Sequence, residues 1–204
     1  MQEAAKKEAG TFTDVLRARF KGILDPAAGF LNRLGLTPNA VTLLGLLGTA
    51  LGSAFLAAGH ITLGGLVILA FAPLDALDGA MARLRGQVTL FGAFLDSVTD
   101  RYAELLIFGG LLVYFMHQQN WTGVILSYLA AAGSVLVSYV RARGEAVGIG
   151  TKVGILTRVE RFLILLPCLI FNLPMIAVGL IAVFANITAL QRIWNVRGQA
   201  FSRK

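Results

Sequence analysis

The chain has 204 residues, of which 56% are hydrophobic and only 14% are charged, and it carries a formal net charge of +7. A soluble domain of this length could not bury so much apolar surface, so the composition predicts a polytopic membrane protein. Attraction to anionic lipid headgroups is the expected reason for the positive charge. Nucleic-acid binding is a poor alternative, because the sequence offers no basic soluble domain for it.

Residues 1–36 are predicted to form a cytoplasmic or interfacial segment ahead of the membrane domain. Its apolar residues recur at helical spacing with basic residues between them, which indicates an amphipathic helix lying on the bilayer surface. The apolar positions are Phe12, Leu16, Phe20, Ile23, Ala27, Phe30 and Leu34. Pro26 is a candidate position for a break in this helix.

Residues 37–196 are predicted to form a membrane domain of six spans, and residues 197–204 a cytoplasmic tail. A spanning helix needs about 20 mostly apolar residues. The expected spans are Ala40–Ala58, Ile61–Met81, Phe94–Phe115, Trp121–Tyr139, Phe162–Phe171 with an extension toward Leu156, and Met175–Ile193. Pro167 is expected to interrupt the fifth span. The predicted fold class is therefore an all-α polytopic membrane protein with an additional N-terminal amphipathic helix.

The basic residues are distributed unevenly between the connections. Neither Lys nor Arg occurs in the connections Gly59–His60, His117–Asn120 and Asn172–Leu173. The basic residues lie in the other connections and near the two ends of the chain, except for Arg101, which stands about one turn into the third span. The positive-inside rule then places both termini in the cytoplasm.

Four aspartates stand where the second and third spans approach each other. Asp75 and Asp78 are three residues apart, and Asp96 and Asp100 are four apart, so each pair shares one helix face. An ionised aspartate near the bilayer centre costs about 2.5–3.5 kcal/mol unless it is paired, metal-bound or hydrated. A short link makes the two helices antiparallel neighbours, so the carboxylates converge at the cytoplasmic end. Oxygen ligands without His or Cys favour Mg²⁺ or Mn²⁺ over zinc, and phosphate chemistry favours Mg²⁺ over Ca²⁺.

Small residues accompany the aspartates. Gly79, Ala82 and Arg83 follow the first pair along one stripe, and Gly92 lies one turn before Asp96. Small side chains let a bulky group approach the backbone, and a guanidinium binds phosphate. Tight helix packing is the alternative explanation of the glycines.

These residues form one motif, Asp75-x2-Asp78-Gly79-x2-Ala82-Arg83-x8-Gly92-x3-Asp96-x3-Asp100. The motif resembles the signature of the CDP-alcohol phosphotransferases, also called CDP-alcohol phosphatidyltransferases, and every fixed position is present. The resemblance implies a homodimeric membrane enzyme of phospholipid biosynthesis. Such an enzyme transfers the phosphatidyl group of CDP-diacylglycerol, or of an equivalent ether-lipid donor, to an alcohol and releases CMP.

The resemblance also implies roles for single residues. Asp75, Asp78 and Asp96 would be metal ligands, with two Mg²⁺ ions expected and Mn²⁺ as a substitute. Asp100 would be both a ligand and the general base that takes the hydroxyl proton. The CDP-lipid would be contacted by Thr37, Pro38, Asn39, Ala40, Gly79, Ala82, Arg83, Thr89 and Gly92. Thr37 and Pro38 also fit an N-cap and a first helical residue.

A basic cluster near the same mouth is the candidate acceptor site. Its proposed phosphate-binding members are Arg141, Arg158 and Arg192, and Arg161 belongs to the same cluster. SYVRAR, RVER and LQR resemble segments of prokaryotic phosphatidylinositol-phosphate synthases, although lysine is usual where Arg141 stands and proline is common where Val159 stands. The resemblance favours inositol 1-phosphate as the acceptor, with glycerol 3-phosphate as the alternative, and headgroup anchoring is the other explanation of the arginines.

Two other function classes are compatible with intramembrane aspartates, namely an ion or proton transporter and a non-catalytic scaffold. A transporter predicts acidic residues throughout the membrane depth and often an inverted repeat. Here the four aspartates lie near one face, and a scaffold gives no reason for their convergence. The sequence therefore favours an enzyme of the cell membrane with its active site facing the cytoplasm.

Overall fold

A computed structural model describes residues 12–151 and 153–202, with side chains described from residue 22 onward except that of Ile23. Across these residues the regular structure is helical, with no strand, which confirms the all-α prediction. The helices are α1 (Phe12–Arg33), α2 (Pro38–Ala57), α3 (Ile61–Phe71), α4 (Leu74–Leu84), α5 (Leu90–His117), α6 (Trp121–Ala146), α7 (Arg158–Ile170) and α8 (Pro174–Ser202).

Helix α1 coincides with the predicted amphipathic segment. The side chains of Phe12, Leu16, Phe20 and Ile23 lie outside the described residues. At the end of the helix and just beyond it, Phe30 and Leu34 are exposed, as expected for residues that contact lipid.

Within residues 12–151 and 153–202, four helical stretches are long and apolar enough to cross a membrane. They are Pro38–Ala57, Ile61–Leu84, Trp121–Ala146 and Pro174–Ser202, and they coincide with the first, second, fourth and sixth predicted spans. The third predicted span corresponds to α5, which carries charged residues between Asp96 and Glu104. The fifth corresponds to α7, whose 13 residues extend only about 20 Å along the helix axis. The total of six spans therefore stays a prediction.

Proline positions differ from the expectation. Pro26 lies inside α1 and Pro167 inside α7, so the expected interruptions at both positions are wrong. Helix α7 continues because Leu166 and Leu169, on either side of Pro167, are buried in the core, and packing holds a helix that propensity alone would weaken. The break occurs instead at Pro73, which has no N–H to donate to the preceding turn. Helix α4 restarts after it and places Asp75 in its first turn.

Among the described residues, the buried hydrophobic side chains form two clusters. The larger one joins α2, α3, α5, α6, α7 and α8 around residues such as Ile68, Ile107 and Ile181. The smaller one joins α1, α2 and α4 around Met81. Helices α2 and α5 pack closely: a Cβ atom at Gly110 would lie 2.5 Å from the carbonyl oxygen of Ser53. At the other end of α2, Thr42 hydrogen-bonds Asp78 of α4 and Asn39 adjoins Gly92 of α5, so the three helices meet where the motif lies.

Candidate active site

Three of the four predicted aspartates converge. One carboxylate oxygen from each of Asp75, Asp96 and Asp100 lies within 4.8 Å of the other two. Asp75 comes from the first turn of α4, whereas Asp96 and Asp100 stand one turn apart on α5. The cluster runs from exposed Asp75 to buried Asp100, so it is open on one side. Oxygen donors at this separation fit a hard divalent cation such as Mg²⁺ or Mn²⁺.

Asp78 is turned toward α2. It is 6% exposed, and one carboxylate oxygen accepts a 2.5 Å hydrogen bond from the Thr42 hydroxyl. Its other oxygen accepts from the Gly79 backbone N–H. Asp78 therefore stands beside the group of three rather than within it, and its role as a metal ligand stays a prediction.

Arg158, the first residue of α7, reaches into this group. Its NH1 and NH2 atoms lie 3.1 Å and 3.3 Å from the two carboxylate oxygens of Asp75. NH2 also lies 2.5 Å from Oδ1 of Asp100, and the guanidinium stacks 5.6 Å above the Phe162 ring. The structure thus brings one predicted acceptor residue into contact with two predicted metal ligands.

A second arginine–carboxylate pair lies deeper, and the sequence did not predict it. Arg161 and Glu104 are only 2% and 3% exposed. The Arg161 Nε and NH2 atoms lie 3.2 Å and 2.5 Å from the same carboxylate oxygen of Glu104. Its NH1 atom donates to the Leu156 carbonyl at 3.2 Å. Arg161 is therefore a buried structural cation and not part of an open basic cluster.

The other two predicted acceptor arginines lie elsewhere. Arg192 is buried and donates to the carbonyl oxygens of Val153 and Val137 at 2.9 Å and 2.7 Å, joining α8 to α6 and to the segment before α7. Arg141 is exposed and pairs with Glu145 at 2.9 Å, and it lies within electrostatic range of Arg192. An open cleft of about 550 Å³ is lined by Val153, Gly154, Ile155, Gln191, Trp194 and Asn195, and Arg192 is not among the residues that line it.

Six of the nine predicted CDP contacts lie at two adjacent helix starts, and the other three lie on α4. Thr37 caps α2 by accepting a 3.2 Å hydrogen bond from the Ala40 N–H, and Pro38 is the first helical residue, which confirms the capping prediction. Thr89 caps α5 in the same way by accepting from Gly92 at 3.0 Å. Two N-termini side by side present backbone N–H groups and positive dipole ends, which favour a phosphate.

A small residue stands where these two helix starts meet. A Cβ atom at Gly92 would lie 3.0 Å from the Thr89 hydroxyl oxygen and 3.5 Å from Oδ1 of Asn39, so Asn39 of α2 adjoins the first turn of α5. On α4, a Cβ atom at Gly79 would lie 3.3 Å from NH1 of Arg83, so the glycine leaves room for that guanidinium. Arg83 is exposed and Ala82 is half-buried beside it.

Known proteins resemble this chain over most of its length. The model of the CDP-alcohol phosphatidyltransferase family matches residues 35–193. The archaetidylinositol phosphate synthase of Pyrococcus horikoshii is 37% identical over 183 residues, which cover 89% of this chain and 95% of the relative.

Solved structures resemble it as well. The crystal structure of Mycobacterium tuberculosis phosphatidylinositol phosphate synthase with CDP-DAG bound has a TM-score of 0.80 at 35% identity, covering 85% of this chain and 93% of that one. The same synthase in complex with manganese and citrate has a TM-score of 0.77 at 34% identity, covering 85% and 88%. The similarity therefore extends from the motif to the arrangement of the helices.

Proposed function

Since this chain belongs to the CDP-alcohol phosphatidyltransferase family and is a membrane enzyme of phospholipid synthesis, we propose that its acceptor is inositol 1-phosphate. The acceptor hydroxyl oxygen forms a bond to the lipid-side phosphorus of CDP-diacylglycerol. The pyrophosphate bond breaks, CMP leaves, and phosphatidylinositol phosphate is the lipid product. The observation that carries this proposal is the contact of Arg158 with Asp100. It places a cation that can bind the acceptor phosphate next to the carboxylate proposed as the general base.

The divalent cation is assigned to the carboxylates of Asp75, Asp96 and Asp100, with Asp78 as the fourth ligand from the adjacent turn of α4. The convergence of three carboxylate oxygens supports this assignment, as does the manganese in a related synthase. We propose two Mg²⁺ ions, for which Mn²⁺ can substitute. A metal ion held by these carboxylates would neutralise the pyrophosphate and stabilise the leaving CMP.

Asp100 is proposed as the general base that takes the proton of the acceptor hydroxyl. Burial and its place on the rigid helix α5 hold its carboxylate in one orientation. Its other neighbour in the site, Arg158, would bind the phosphate of the acceptor and hold the reacting hydroxyl near that carboxylate.

The nucleotide end of the donor is assigned to the adjacent starts of α2 and α5 and to the exposed face of α4. The residues proposed to contact it are Thr37, Pro38, Asn39, Ala40, Gly79, Ala82, Arg83, Thr89 and Gly92. A threonine hydroxyl that accepts a capping bond still carries a proton to donate, so Thr37 and Thr89 can serve both roles.

Arg141 and Arg192 are proposed to complete the acceptor pocket with Arg158. Arg192 would bind the acceptor phosphate while it donates hydrogen bonds to the carbonyl oxygens of Val153 and Val137. Arg141 would exchange its exposed partner Glu145 for the phosphate, because an exposed ion pair costs little to break.

The acceptor is tested by release of CMP from CDP-diacylglycerol by the purified protein in detergent with Mg²⁺. Inositol 1-phosphate should give the highest kcat/KM in a panel with glycerol 3-phosphate, free inositol and serine, and excess EDTA should abolish release. A preference for glycerol 3-phosphate would identify a phosphatidylglycerophosphate synthase instead. A preference for an uncharged acceptor would refute the phosphate pocket and leave only the family assignment.

We further propose six spans with both termini in the cytoplasm, a homodimeric assembly, and an active site that opens on the cytoplasmic face of the cell membrane. In a Cys168→Ala background, Gly150→Cys should react with membrane-impermeant thiol reagents only from the cytoplasmic side. Gln118→Cys should react only from outside. The reverse labelling pattern would overturn the orientation, and chemical cross-linking in intact membranes tests the dimer.

A further inference from the structure

Two arginine–carboxylate pairs join α7 to α5 as consecutive rungs of one ladder. The outer rung is Arg158 with Asp100, and the inner rung is Arg161 with Glu104. The two carboxylates are four residues apart on α5 and the two arginines three apart on α7, so the rungs lie about one turn apart. The register of α7 on α5 therefore sets both contacts at once.

The inner rung is fixed more firmly than the outer one. All three guanidinium nitrogens of Arg161 donate hydrogen bonds. Two of them donate to the same carboxylate oxygen of Glu104, and the third donates to the Leu156 carbonyl. The Leu156 N–H in turn donates to the Thr188 hydroxyl of α8 at 3.0 Å. The inner rung thus ties α5, the start of α7 and α8 together through two almost fully buried side chains.

Glu104 also acts on the outer rung. Its second oxygen, Oε2, is buried and has no hydrogen-bond partner among the described residues, and its charge attracts Arg158 electrostatically. The Nε atom of Arg158 is likewise buried without a described partner. Glu104 therefore both anchors Arg161 and contributes negative potential where the Arg158 guanidinium lies.

We propose that Glu104 and Arg161 are positioning residues for the transfer reaction, which hold Arg158 in register with Asp75 and Asp100. This inference rests on the proposed function of Arg158 in binding the acceptor phosphate. A slip of one residue along α7 rotates its side chains by about 100°, which would carry Arg158 away from Asp100. Neither positioning residue needs to touch a substrate.

Three variants separate positioning from simple stabilisation. Arg161→Lys keeps the positive charge but removes the planar guanidinium that donates several hydrogen bonds in fixed directions. Glu104→Leu combined with Arg161→Met removes both buried charges at similar volume. Thr62→Val is the control, because it removes a side-chain bond between α3 and the other end of α7, the 3.2 Å contact with the Ile170 carbonyl.

Each variant is measured for its KM for the acceptor, its KM for CDP-diacylglycerol and its unfolding temperature in detergent. Arg161→Lys and the double variant should lower kcat/KM for the acceptor by roughly 10- to 100-fold, mainly through KM, because the effect is a displacement of Arg158. The KM for CDP-diacylglycerol and all values of Thr62→Val should match the parent. Should the double variant fail to fold, Arg161→Lys decides the question.

A double-mutant cycle gives the decisive readout. If Arg161 acts through Arg158, adding Arg161→Lys to Arg158→Gln should raise the acceptor KM no further. Additive effects of Arg158→Gln and Arg161→Lys on the acceptor KM would overturn the proposal. So would equal increases in the KM for the acceptor and the KM for CDP-diacylglycerol. A parent-like acceptor KM in a folded variant that combines Glu104→Leu with Arg161→Met would overturn it as well. If the parent prefers glycerol 3-phosphate, the inositol assignment fails, and the same cycle with that acceptor still tests the positioning role.

Discussion

The two arginines of α7 meet carboxylates of the same helix in very different surroundings. At the outer rung the side chains of Arg158 and Asp100 are 30% and 9% exposed, and Arg158 also pairs with Asp75 of α4, which is 43% exposed. At the inner rung the side chains of Arg161 and Glu104 are 3% and 4% exposed. An arginine with an exposed partner such as Asp75 can exchange that partner for a ligand at little cost, whereas a fully buried pair leaves an uncompensated charge when one partner departs. The same two functional groups are thus proposed to serve the reaction in one place and the architecture one turn away.

The largest effect is expected at the buried carboxylate of the outer rung. Asp100→Asn should lower kcat by about 10²- to 10⁴-fold, because an amide cannot take the proton of the acceptor hydroxyl. The rate of CMP release at saturating substrates measures this effect. Asp25→Asn on α1 is the matched control and should behave like the parent. Near-parent turnover by Asp100→Asn would remove Asp100 from the reaction.

The inner rung should instead dominate stability. Glu104→Leu alone leaves Arg161 buried without its carboxylate and should lower the free energy of unfolding by about 3–5 kcal/mol. Adding Arg161→Met should restore most of that loss, since both charges are then gone. Denaturant unfolding in detergent measures the difference. If Glu104→Leu were as stable as the parent, the Arg161–Glu104 pair would be better hydrated than its burial indicates.

At the outer rung, Arg158→Gln should weaken transition-state binding of the acceptor by about 1.5–3 kcal/mol, the value of a charge-assisted hydrogen bond. The loss should appear in kcat/KM for inositol 1-phosphate and leave the KM for CDP-diacylglycerol unchanged. Arg197→Gln, at the far end of α8 where the arginine lies against Trp194, is the control. Equal kinetics for both variants would refute the role of Arg158.

The smallest effect is expected at the most exposed pair. Arg141 and Glu145 are about half exposed and four residues apart on α6. Glu145→Gln should change the free energy of unfolding by only about 0.3–0.5 kcal/mol, because solvent screens the pair. A loss as large as that expected for the inner rung would mean that exposure does not separate the two kinds of ion pair.

The sequence predicted those parts of the site that depend on spacing within one helix. The convergence of Asp96 with Asp100 and the cap formed by Thr37 follow from helical periodicity and local hydrogen bonding. The direction of Asp78 does not, because it depends on Thr42 of another helix. Spacing alone cannot show which face of α2 meets α4.

The inner rung does not follow from the positions of the basic residues. Those positions predict that Arg161 belongs to an open cytoplasmic cluster, whereas it is buried against Glu104. Glu104 stands one turn after Asp100 in an apolar helix, and an intramembrane carboxylate requires a partner. That requirement points to a buried cation, and spacing does not identify which arginine supplies it. Local propensity likewise predicts interruptions at Pro26 and Pro167, whereas both helices continue through those residues and the break lies at Pro73.

The central claim is that Asp75, Asp96 and Asp100 hold the divalent cation of the reaction. Crystals of this chain grown with Mn²⁺ and measured at a wavelength where manganese scatters anomalously test it most directly. An anomalous peak bounded by carboxylate oxygens of these three residues is expected, and this peak should be absent in Asp96→Asn. A peak elsewhere, or none in crystals of a preparation whose CMP release depends on Mn²⁺, would contradict it.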